Sequence, residues 1–538
     1  MKLICFLDWK LNLRDSELRS TIPSLLRFNL TALNVLDISD NYFDNPISPN
    51  WFWNATSLTS LNIRGCSFYG PIPDEIGRMK SLEQVSFLGN NLMSTMIPSS
   101  FKNLCNLTAL DLSNTNTTGD ITKLMERLPN CHWNKLQKLD FSQNNISGEL
   151  PDQPGPLTNL TYFRLSGNKL TGKIPSWIGV LSKLYILDLS WNQIYGTVDE
   201  DLLNSLTDLK YLRLSSTLQM KIRADWIPPF QLLTASLLSV QLGPAFPLWL
   251  KSQTSIVNLL IPNTSITAIS DWFWVVFSGA KSLDLAYNQI SGALPASLEF
   301  MAAEYMAFSN NRLNGTVPRL PRYIKVIDIS GNLLSGPLPS DFRAPWFEDI
   351  LLYNNSISGT IPSSLCSLRY LEVLDLSRNM LTGEVTICQQ EMNYLSVVNL
   401  NLNNIPGEFP PIFKRCPNAI FVDLSDNLLS GNLPLWIWEK MPSIELLRLR
   451  SNKFDGNIPN NGLAMNKELQ FLDLAHNKLS GSIPHSLVNL SAMARTSGYS
   501  KTLFRNLNLG VAVISYNFDY ESIGFRLESI GLYQRTTT

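Results

Sequence analysis

The sequence predicts an α/β repeat solenoid, because one short pattern of leucines and asparagines recurs along almost all of the chain. The pattern is L-x-x-L-x-L-x-x-N-x-L-x-G-x-I-P, and residues 469–484 carry a complete copy. Aligned on the asparagine, about 20 copies follow one another at intervals of about 23–25 residues. A chain of 538 residues would otherwise suggest several globular domains. The regular interval indicates stacked coils instead.

The first half of the pattern predicts a strand followed by a buried asparagine. Leucines at alternate positions place one face of a short strand inward, and neighbouring coils then form a parallel sheet. The turn after the strand directs backbone groups into the core, where an amide can both donate and accept hydrogen bonds. We therefore expect a structural ladder of asparagines at Asn41, Asn90, Asn144, Asn168, Asn192, Asn288, Asn311, Asn332, Asn355, Asn379, Asn403, Asn427, Asn452 and Asn477.

Six copies carry another residue in the asparagine slot. Four of these residues have a hydroxyl that can make part of the same bonds, and they are Ser16, Thr115, Thr217 and Thr264. The other two, Cys66 and Val240, substitute poorly. We expect local loosening of the coils at these two positions.

The second half of the pattern predicts the return of each coil. Glycine permits a backbone geometry that a side chain would obstruct, and proline suits the turn after a short second strand. Segments such as 175–184 then return as short helical or irregular stretches on the convex side, opposite a concave sheet. We expect a right-handed, horseshoe-like array over residues 1–490 and an irregular, uncapped segment over 491–538.

The same pattern carries a family resemblance. The L-x-G-x-I-P ending resembles the plant form of the leucine-rich repeat. The segments Trp226–Leu232, Gly243–Pro247 and Asp271–Trp274 resemble plant receptor-like proteins of the group that includes the fungal-xylanase elicitor receptors. The resemblance covers roughly residues 1–520. It implies a glycoprotein located at the extracellular face of the plasma membrane. Such a protein binds a secreted protein or peptide in defence or development and signals through a partner receptor kinase.

Two alternatives stay open beside that implication. One is a soluble leucine-rich-repeat interaction protein, similar to the inhibitors of fungal polygalacturonase. The other is a non-functional receptor fragment, because the signal peptide, terminal cap and membrane helix of the family are not apparent in this sequence. We therefore expect a chain shortened at both ends.

Composition and motifs predict a binding protein rather than an enzyme. A net charge of −1 without a basic block disfavours nucleic acid, and no run of about 18 apolar residues predicts a membrane span in this chain. The three histidines, His132, His476 and His485, lack metal-ligand spacing, so no metal or cofactor is expected. Recurrent aspartates of the L-D-L segment are interpreted as solvated scaffold residues, as at Asp188, Asp375 and Asp423.

Cysteines and glycosylation motifs bear on the cellular compartment. Cys105 and Cys131 occupy similar phases of adjacent coils, as do Cys366 and Cys388, and coils about 5 Å apart are within disulfide reach. Bridges are expected only in an oxidising compartment. Free thiols are expected for the rest, namely Cys5, Cys66 and Cys416. Candidate N-glycosylation sites are Asn29, Asn54, Asn106, Asn116, Asn145, Asn159, Asn263, Asn314, Asn354 and Asn489.

The exposed strand positions form the predicted ligand surface. A rigid sheet holds these positions, so they can vary without affecting the fold. Many of them are aromatic or arginine, the residue types that dominate interface energetics. Any one of them alone is better explained as an ordinary surface residue. The predicted surface comprises Tyr162, Arg164, Trp191, Tyr211, Arg213, Tyr287, Tyr305, Tyr353, Arg378, Phe421, Arg448, Arg450 and Phe471.

Overall fold

The computed structural model describes residues 9–19, 32–90, 97–131, 135–153, 157–215, 217–385, 388–459 and 466–494. These residues belong to two compact units, Met1–Ile290 and Ser291–Thr538. Both units are built from stacked coils, which confirms the predicted repeat solenoid. Cys5, Asn29, His132 and most of the predicted irregular segment lie outside the described residues; only its beginning, Ser491–Ala494, is described, as a 3-10 helix.

The first unit contains a parallel sheet to which each coil contributes one strand, paired in register with the strand of the next coil. Its strands are Trp9–Asn12, Leu33–Asp37, Ser60–Asn62, Gln84–Ser86, Ala109–Asp111, Lys138–Asp140, Tyr162–Arg164, Ile186–Asp188, Tyr211–Ser215, Thr234–Leu238, Asn258–Leu260 and Ser282–Asp284. Short second strands follow the turn, at Thr118–Asp120, Asn145–Glu149, Lys169–Thr171, Gly196–Val198 and Leu218–Met220.

The coils of the first unit return through short helices, as the segment 175–184 predicts. The α-helices are Ile121–Met125, Glu200–Leu203 and Trp272–Val276. The 3-10 helices are Trp51–Asn54, Asp74–Arg78, Ser99–Asn103, Ser176–Val180 and Leu248–Ser252. Coil spacing is tight on this side: a Cβ on Gly179 would lie 2.7 Å from the backbone oxygen of Leu202 in the next coil.

The second unit repeats the same plan. Its main-sheet strands are Tyr305–Ala307, Val326–Asp328, Asp349–Leu351, Val373–Asp375, Val397–Asn399, Phe421–Asp423, Leu446–Arg448 and Phe471–Asp473. Its short second strands are Ser291–Ala293, Arg312–Asn314, Ser335–Pro337, Ser356–Gly359, Met380–Leu381, Pro406–Gly407, Leu428–Asn432 and Lys453–Asp455. Among the described residues of this unit, the helices are Ser363–Ser367, Pro411–Arg415, Trp436–Lys440, His485–Asn489 and Ser491–Ala494, of which only Trp436–Lys440 is α-helical.

Strand alternation separates the core from the open face of the sheet. In the strand Val373–Asp375, Leu374 points inward with Leu376 beyond it, and both are buried. Val373 and Asp375 point the other way, toward the open face. Because a single coil cannot enclose its own leucines, each coil depends on its neighbours for burial.

Asparagine side chains join successive coils inside the core. The Nδ2 group of Asn403 donates to Leu376 O of the preceding coil at 3.0 Å and to Leu400 O of its own coil at 3.1 Å. Its Oδ1 accepts from Leu381 N of the preceding coil at 2.9 Å. Every other asparagine expected in the ladder makes the own-coil bond. The buried amide is therefore the partner of Leu381 N–H, while Leu376 O and Leu400 O each accept from two successive asparagines.

Hydroxyl residues replace part of this network. The hydroxyls of Thr115 and Thr264 donate to a carbonyl three residues earlier, at 2.7 and 3.0 Å. The Ser16 hydroxyl donates only to nearby Arg14 O at 3.3 Å. The prediction for Thr217 is wrong, because this residue is exposed and lies outside the buried row.

The two apolar substitutions are well packed. Cys66 is fully buried, and its thiol donates across the coils to Ile38 O at 3.0 Å. Val240 is also fully buried, and its backbone N–H donates to Leu237 O at 3.3 Å. The loosening expected at these slots is therefore not observed, because both side chains are fully buried and the Cys66 thiol supplies a donor to the preceding coil.

Disulfides join Cys105 to Cys131 and Cys366 to Cys388, with Cα–Cα distances of 5.7 and 5.3 Å. Each bridge connects two adjacent coils. Cys66 and Cys416 are free and buried, and burial raises the pKa of both thiols to about 12. Both thiols therefore stay protonated at neutral pH.

Candidate binding surface

Three tyrosines form a continuous row on the open face of the first unit. The rings of Tyr162 and Tyr185 lie 5.8 Å apart, and those of Tyr185 and Tyr211 lie 5.6 Å apart. Lys138 Nζ lies 4.6 Å from the centre of the Tyr162 ring. Burial, with a smaller contribution from Tyr185, raises the pKa of Tyr211, so its hydroxyl remains a hydrogen-bond donor. This tyrosine row presents half-buried aromatic area with polar tips.

A second row on the same strands alternates acids and arginines. Arg164 Nη1 lies 3.5 Å from Asp140 Oδ2, and Arg213 Nη1 lies 3.8 Å from Asp188 Oδ2. Burial and the nearby Asp111 carboxylate raise the pKa of Asp140 to about 7, an effect that Arg164 opposes. Arg164 is only 5% exposed. Its prediction as a surface residue for ligand is therefore wrong, since its guanidinium packs among the acids.

The recurrent aspartates are buried rather than solvated. Each carboxylate accepts a hydrogen bond of 2.6 Å from the serine hydroxyl two residues later and a second bond from that serine's N–H. The three pairs are Asp188–Ser190, Asp375–Ser377 and Asp423–Ser425. Burial raises the pKa of Asp375, and Ser377 opposes that shift. The repeated carboxylates are thus structural, and the expectation of solvation is wrong because neighbouring strands enclose them.

Trp191 stands at the edge of the open face, directly before the asparagine slot. It is 53% exposed and has a φ of 55°. Tyr287 and Arg378 occupy the equivalent position of their own coils, are exposed, and have φ values of 55° and 53°. Glycine and asparagine adopt this left-handed conformation more readily than other residues. The turn therefore aims these three large side chains outward.

In the second unit, aromatic residues of the open face differ in exposure. Tyr305 and Tyr353 are half-buried, and Phe471 is exposed. Phe421 is only 9% exposed, as part of an apolar cluster completed by Leu351, Val373, Val397 and Leu446. The prediction of Phe421 as a ligand-facing residue is wrong, because strands about 4.8 Å apart let neighbouring side chains cover it.

Two of the predicted arginines of the second unit lie beside acids. Arg448 Nη1 lies 3.1 Å from Asp423 Oδ2, and Arg450 Nη1 lies 3.9 Å from Asp473 Oδ2. Both arginine side chains are more than a third exposed. They can therefore exchange part of these contacts for an incoming carboxylate.

The structure also adds residues that the repeat pattern does not single out. Lys138 and Tyr185 complete the tyrosine row, although Tyr185 lies one position before the strand Ile186–Asp188. A sign of this role in the sequence is the position of Tyr185 between Leu184 and Leu187, the inward leucines of its repeat. In the described ranges, no three His, Cys, Asp or Glu residues gather closely enough to hold a metal ion. The same ranges contain no helix with the length and hydrophobicity of a bilayer span.

Comparisons with known proteins agree with this architecture. A family model described as a leucine-rich repeat region matches residues 10–244, and a Leucine Rich Repeat model matches 323–344, 347–368 and 468–490. Receptor-like protein EIX2 of Solanum lycopersicum is 29% identical over 81% of this chain and 50% of its own length. Receptor-like protein 13 of Arabidopsis thaliana is 30% identical over 56% of this chain and 33% of its own length. The chain thus spans half or less of these relatives.

Solved structures share the fold. The leucine-rich-repeat ectodomain of the Arabidopsis receptor kinase HAESA, in complex with an N-terminally extended IDA peptide hormone, has a TM-score of 0.63 and 24% identity. The match covers 88% of this chain and 79% of that one. The plant peptide hormone receptor RGFR1 in complex with RGF2 has a TM-score of 0.58 and 24% identity, over 90% and 81% of the two chains.

Proposed function

We propose that this leucine-rich-repeat chain, which is similar to plant receptor-like proteins, is the ligand-recognition part of a cell-surface receptor. The ligand is a secreted protein or peptide, and a partner receptor kinase transmits the signal. One solved relative by fold is the receptor kinase HAESA in complex with the peptide hormone IDA and the co-receptor SERK1. That complex is a precedent for this architecture.

The tyrosine row is the observation that carries the proposal. Tyr162, Tyr185 and Tyr211 offer aromatic area fixed by the sheet, so little side-chain freedom is lost on binding. Lys138 extends this area at one end, and exposed Trp191 stands at the other end of the strand that follows Tyr185. An extended peptide crossing the strands would contact the aromatic rings and form hydrogen bonds with the tyrosine hydroxyls.

The chemistry of the surface supports binding rather than turnover. The recurrent aspartates of the L-D-L segments are occupied by other protein groups, as at Asp188, which contacts both Ser190 and Arg213. Signalling then depends on a second protein that recognises the occupied receptor.

Matched capture experiments test the ligand surface. The secreted chain, the variant Trp191→Ala/Tyr211→Ala and the control Tyr195→Ala would be immobilised and exposed to plant extracellular fluid. Tyr195 is a suitable control because it is also exposed but lies beyond the asparagine turn. We expect a secreted protein or peptide retained by the wild type and control, with at least about fivefold loss in the double variant. Unchanged capture by a double variant with native circular dichroism would contradict the proposal.

Ligand-dependent recruitment tests the signalling step. The captured ligand would be added to plant cells that display the chain, and receptor kinases would be identified by proximity labelling. We expect a kinase whose labelling increases with ligand and is lost in the Trp191→Ala/Tyr211→Ala variant. A captured fungal cell-wall hydrolase, inhibited by the chain without kinase labelling, would instead favour the soluble inhibitor.

A further inference from the structure

An exposed aromatic ladder lies along one margin of the second unit. Four successive coils place an aromatic residue immediately before the first inward apolar residue of the repeat, and these are Tyr323, Trp346, Tyr370 and Tyr394. Their exposed fractions lie between 41% and 53%. Contiguous exposed aromatic area on a soluble fold typically marks an interaction site. None of these residues belongs to the tyrosine row of the first unit.

The rings are ordered by stacking on one another. The Trp346 and Tyr370 rings lie 5.3 Å apart with an interplanar angle of 17°. The Tyr370 and Tyr394 rings lie 5.6 Å apart and are tilted by 42°. Stacking covers the facing sides of the Trp346 and Tyr370 rings, which leaves less aromatic face free for a sugar ring. A partner therefore meets a stiff apolar ridge.

An acidic border runs beside the aromatic ladder. Glu348 and Glu372 follow Trp346 and Tyr370 by two residues, and the intervening Phe347 and Leu371 are buried, so aromatic and acid share one side. Glu372 N donates to Glu348 O at 2.7 Å, which places the two acids in adjacent coils. The two glutamates are therefore one coil apart, as Trp346 and Tyr370 are.

The negative charge of this border is only partly compensated. Asp349 lies next to the two glutamates, and its pKa is raised to about 7 by burial, then by the charges of Glu372 and Glu348. Lys325, the cation whose charge acts on Glu348, is itself engaged with Glu304 at 3.1 Å. An incoming cation would therefore relieve repulsion among three neighbouring carboxyl groups.

We propose that the aromatic ladder and its acidic border bind a basic segment of a partner protein. Lysine and arginine stems are apolar and cover ring edges, while their charged ends reach the carboxylates of Glu348 and Glu372. The same border repels polyanions. This surface is in the second unit and goes beyond the ligand surface proposed for the first unit.

The binding test uses a defined cationic probe. A fluorescent peptide of alternating arginine and serine would be titrated into the whole chain, with an alternating glutamate–serine peptide and neutral cellohexaose as comparisons. We expect saturable binding of the arginine peptide alone, weakening as salt is added because ion pairs at a surface are screened. No binding of the arginine peptide at millimolar concentration, equal binding of both peptides, or binding of cellohexaose alone would overturn the proposal.

Variants localise that binding. Trp346→Ala/Tyr370→Ala and, separately, Glu372→Gln should each raise the Kd for the arginine peptide at least about fivefold. Controls are Phe300→Ala, an exposed aromatic outside the ladder, and Glu439→Gln, which removes the same charge from an exposed helix position. Equal effects of the ladder and control variants would overturn the proposal. Glu372→Gln preserves side-chain volume, so it remains informative if the double variant is unstable.

Discussion

Asn403 gives the sharpest test of what holds the coils together, because an adjacent asparagine is its natural control. Asn403→Ala removes the partner of Leu381 N–H in the preceding coil, whereas Leu376 O keeps its hydrogen bond from Asn379 and Leu400 O keeps its bond from Asn427. A buried polar group left without a partner costs about 1–3 kcal/mol. With one such group left unpaired, the expected loss is about 1–3 kcal/mol. The variant Asn404→Ala, at an exposed position in the same turn, should change stability by less than about 0.5 kcal/mol.

Urea unfolding followed by circular dichroism measures the difference, and hydrogen exchange locates it. Faster exchange should be concentrated at the Leu381 amide and in the two coils that Asn403 joins. Asn403→Asp, with nearly the same shape, should be at least as damaging as Asn403→Ala, because it replaces the amide donor with a buried carboxylate. Equal stabilities of Asn403→Ala and Asn404→Ala would refute the reasoning, because they would show that water satisfies the backbone groups without loss.

Three other predictions concern charge, spacing and covalent links. Asp349→Asn should raise the melting temperature near pH 8 but hardly at pH 4. The folded protein raises the pKa of Asp349 from its ordinary 3.8 to about 7, so folding favours the protonated carboxyl. The aspartate therefore lowers the stability of the folded protein progressively as the pH rises from 3.8 through about 7, and the asparagine does not. A pH-independent effect in thermal melts would contradict this. Gly179→Ala should cost about 1–3 kcal/mol in urea unfolding through contact with the next coil, whereas exposed Val180→Ala should be neutral; equal losses would argue against tight spacing. Removing the Cys366–Cys388 bridge with two serines should cost about 3 kcal/mol in non-reducing urea unfolding, because its loop spans 22 residues, and an unchanged midpoint would disagree.

The repeat pattern predicts the coils well because their inward positions obey strong local rules. Alternating leucines assign Leu374 and Leu376 to the core, and the asparagine slot assigns Asn403 to its hydrogen bonds. Outward positions are harder, since exposure depends on the neighbouring strands. Arg164 is buried between acids and Phe421 between apolar residues, although both occupy outward strand positions. Those surroundings come from coils about 24 residues away, beyond what the period of a single strand describes.

The left-handed turn adds a reason to assign Trp191 to recognition. A left-handed backbone costs an ordinary residue roughly 1–2 kcal/mol, while glycine or asparagine adopts it more easily. Other coils place Gly167, Gly331 and Asn310 at this position, with φ values of 66°, 61° and 54°. The fold therefore does not require a large aromatic side chain there. Because the indole is half exposed, the free energy gained by burying it offsets only part of the backbone cost. Asn168 N–H of the preceding coil donates to Trp191 O, and Trp191 N–H donates to the Ser215 hydroxyl of the next coil. Because these bonds fix the turn, the cost of holding the indole outward is met during folding rather than on binding. Trp191 thus contributes a prearranged contact that the packing of the coils alone does not explain.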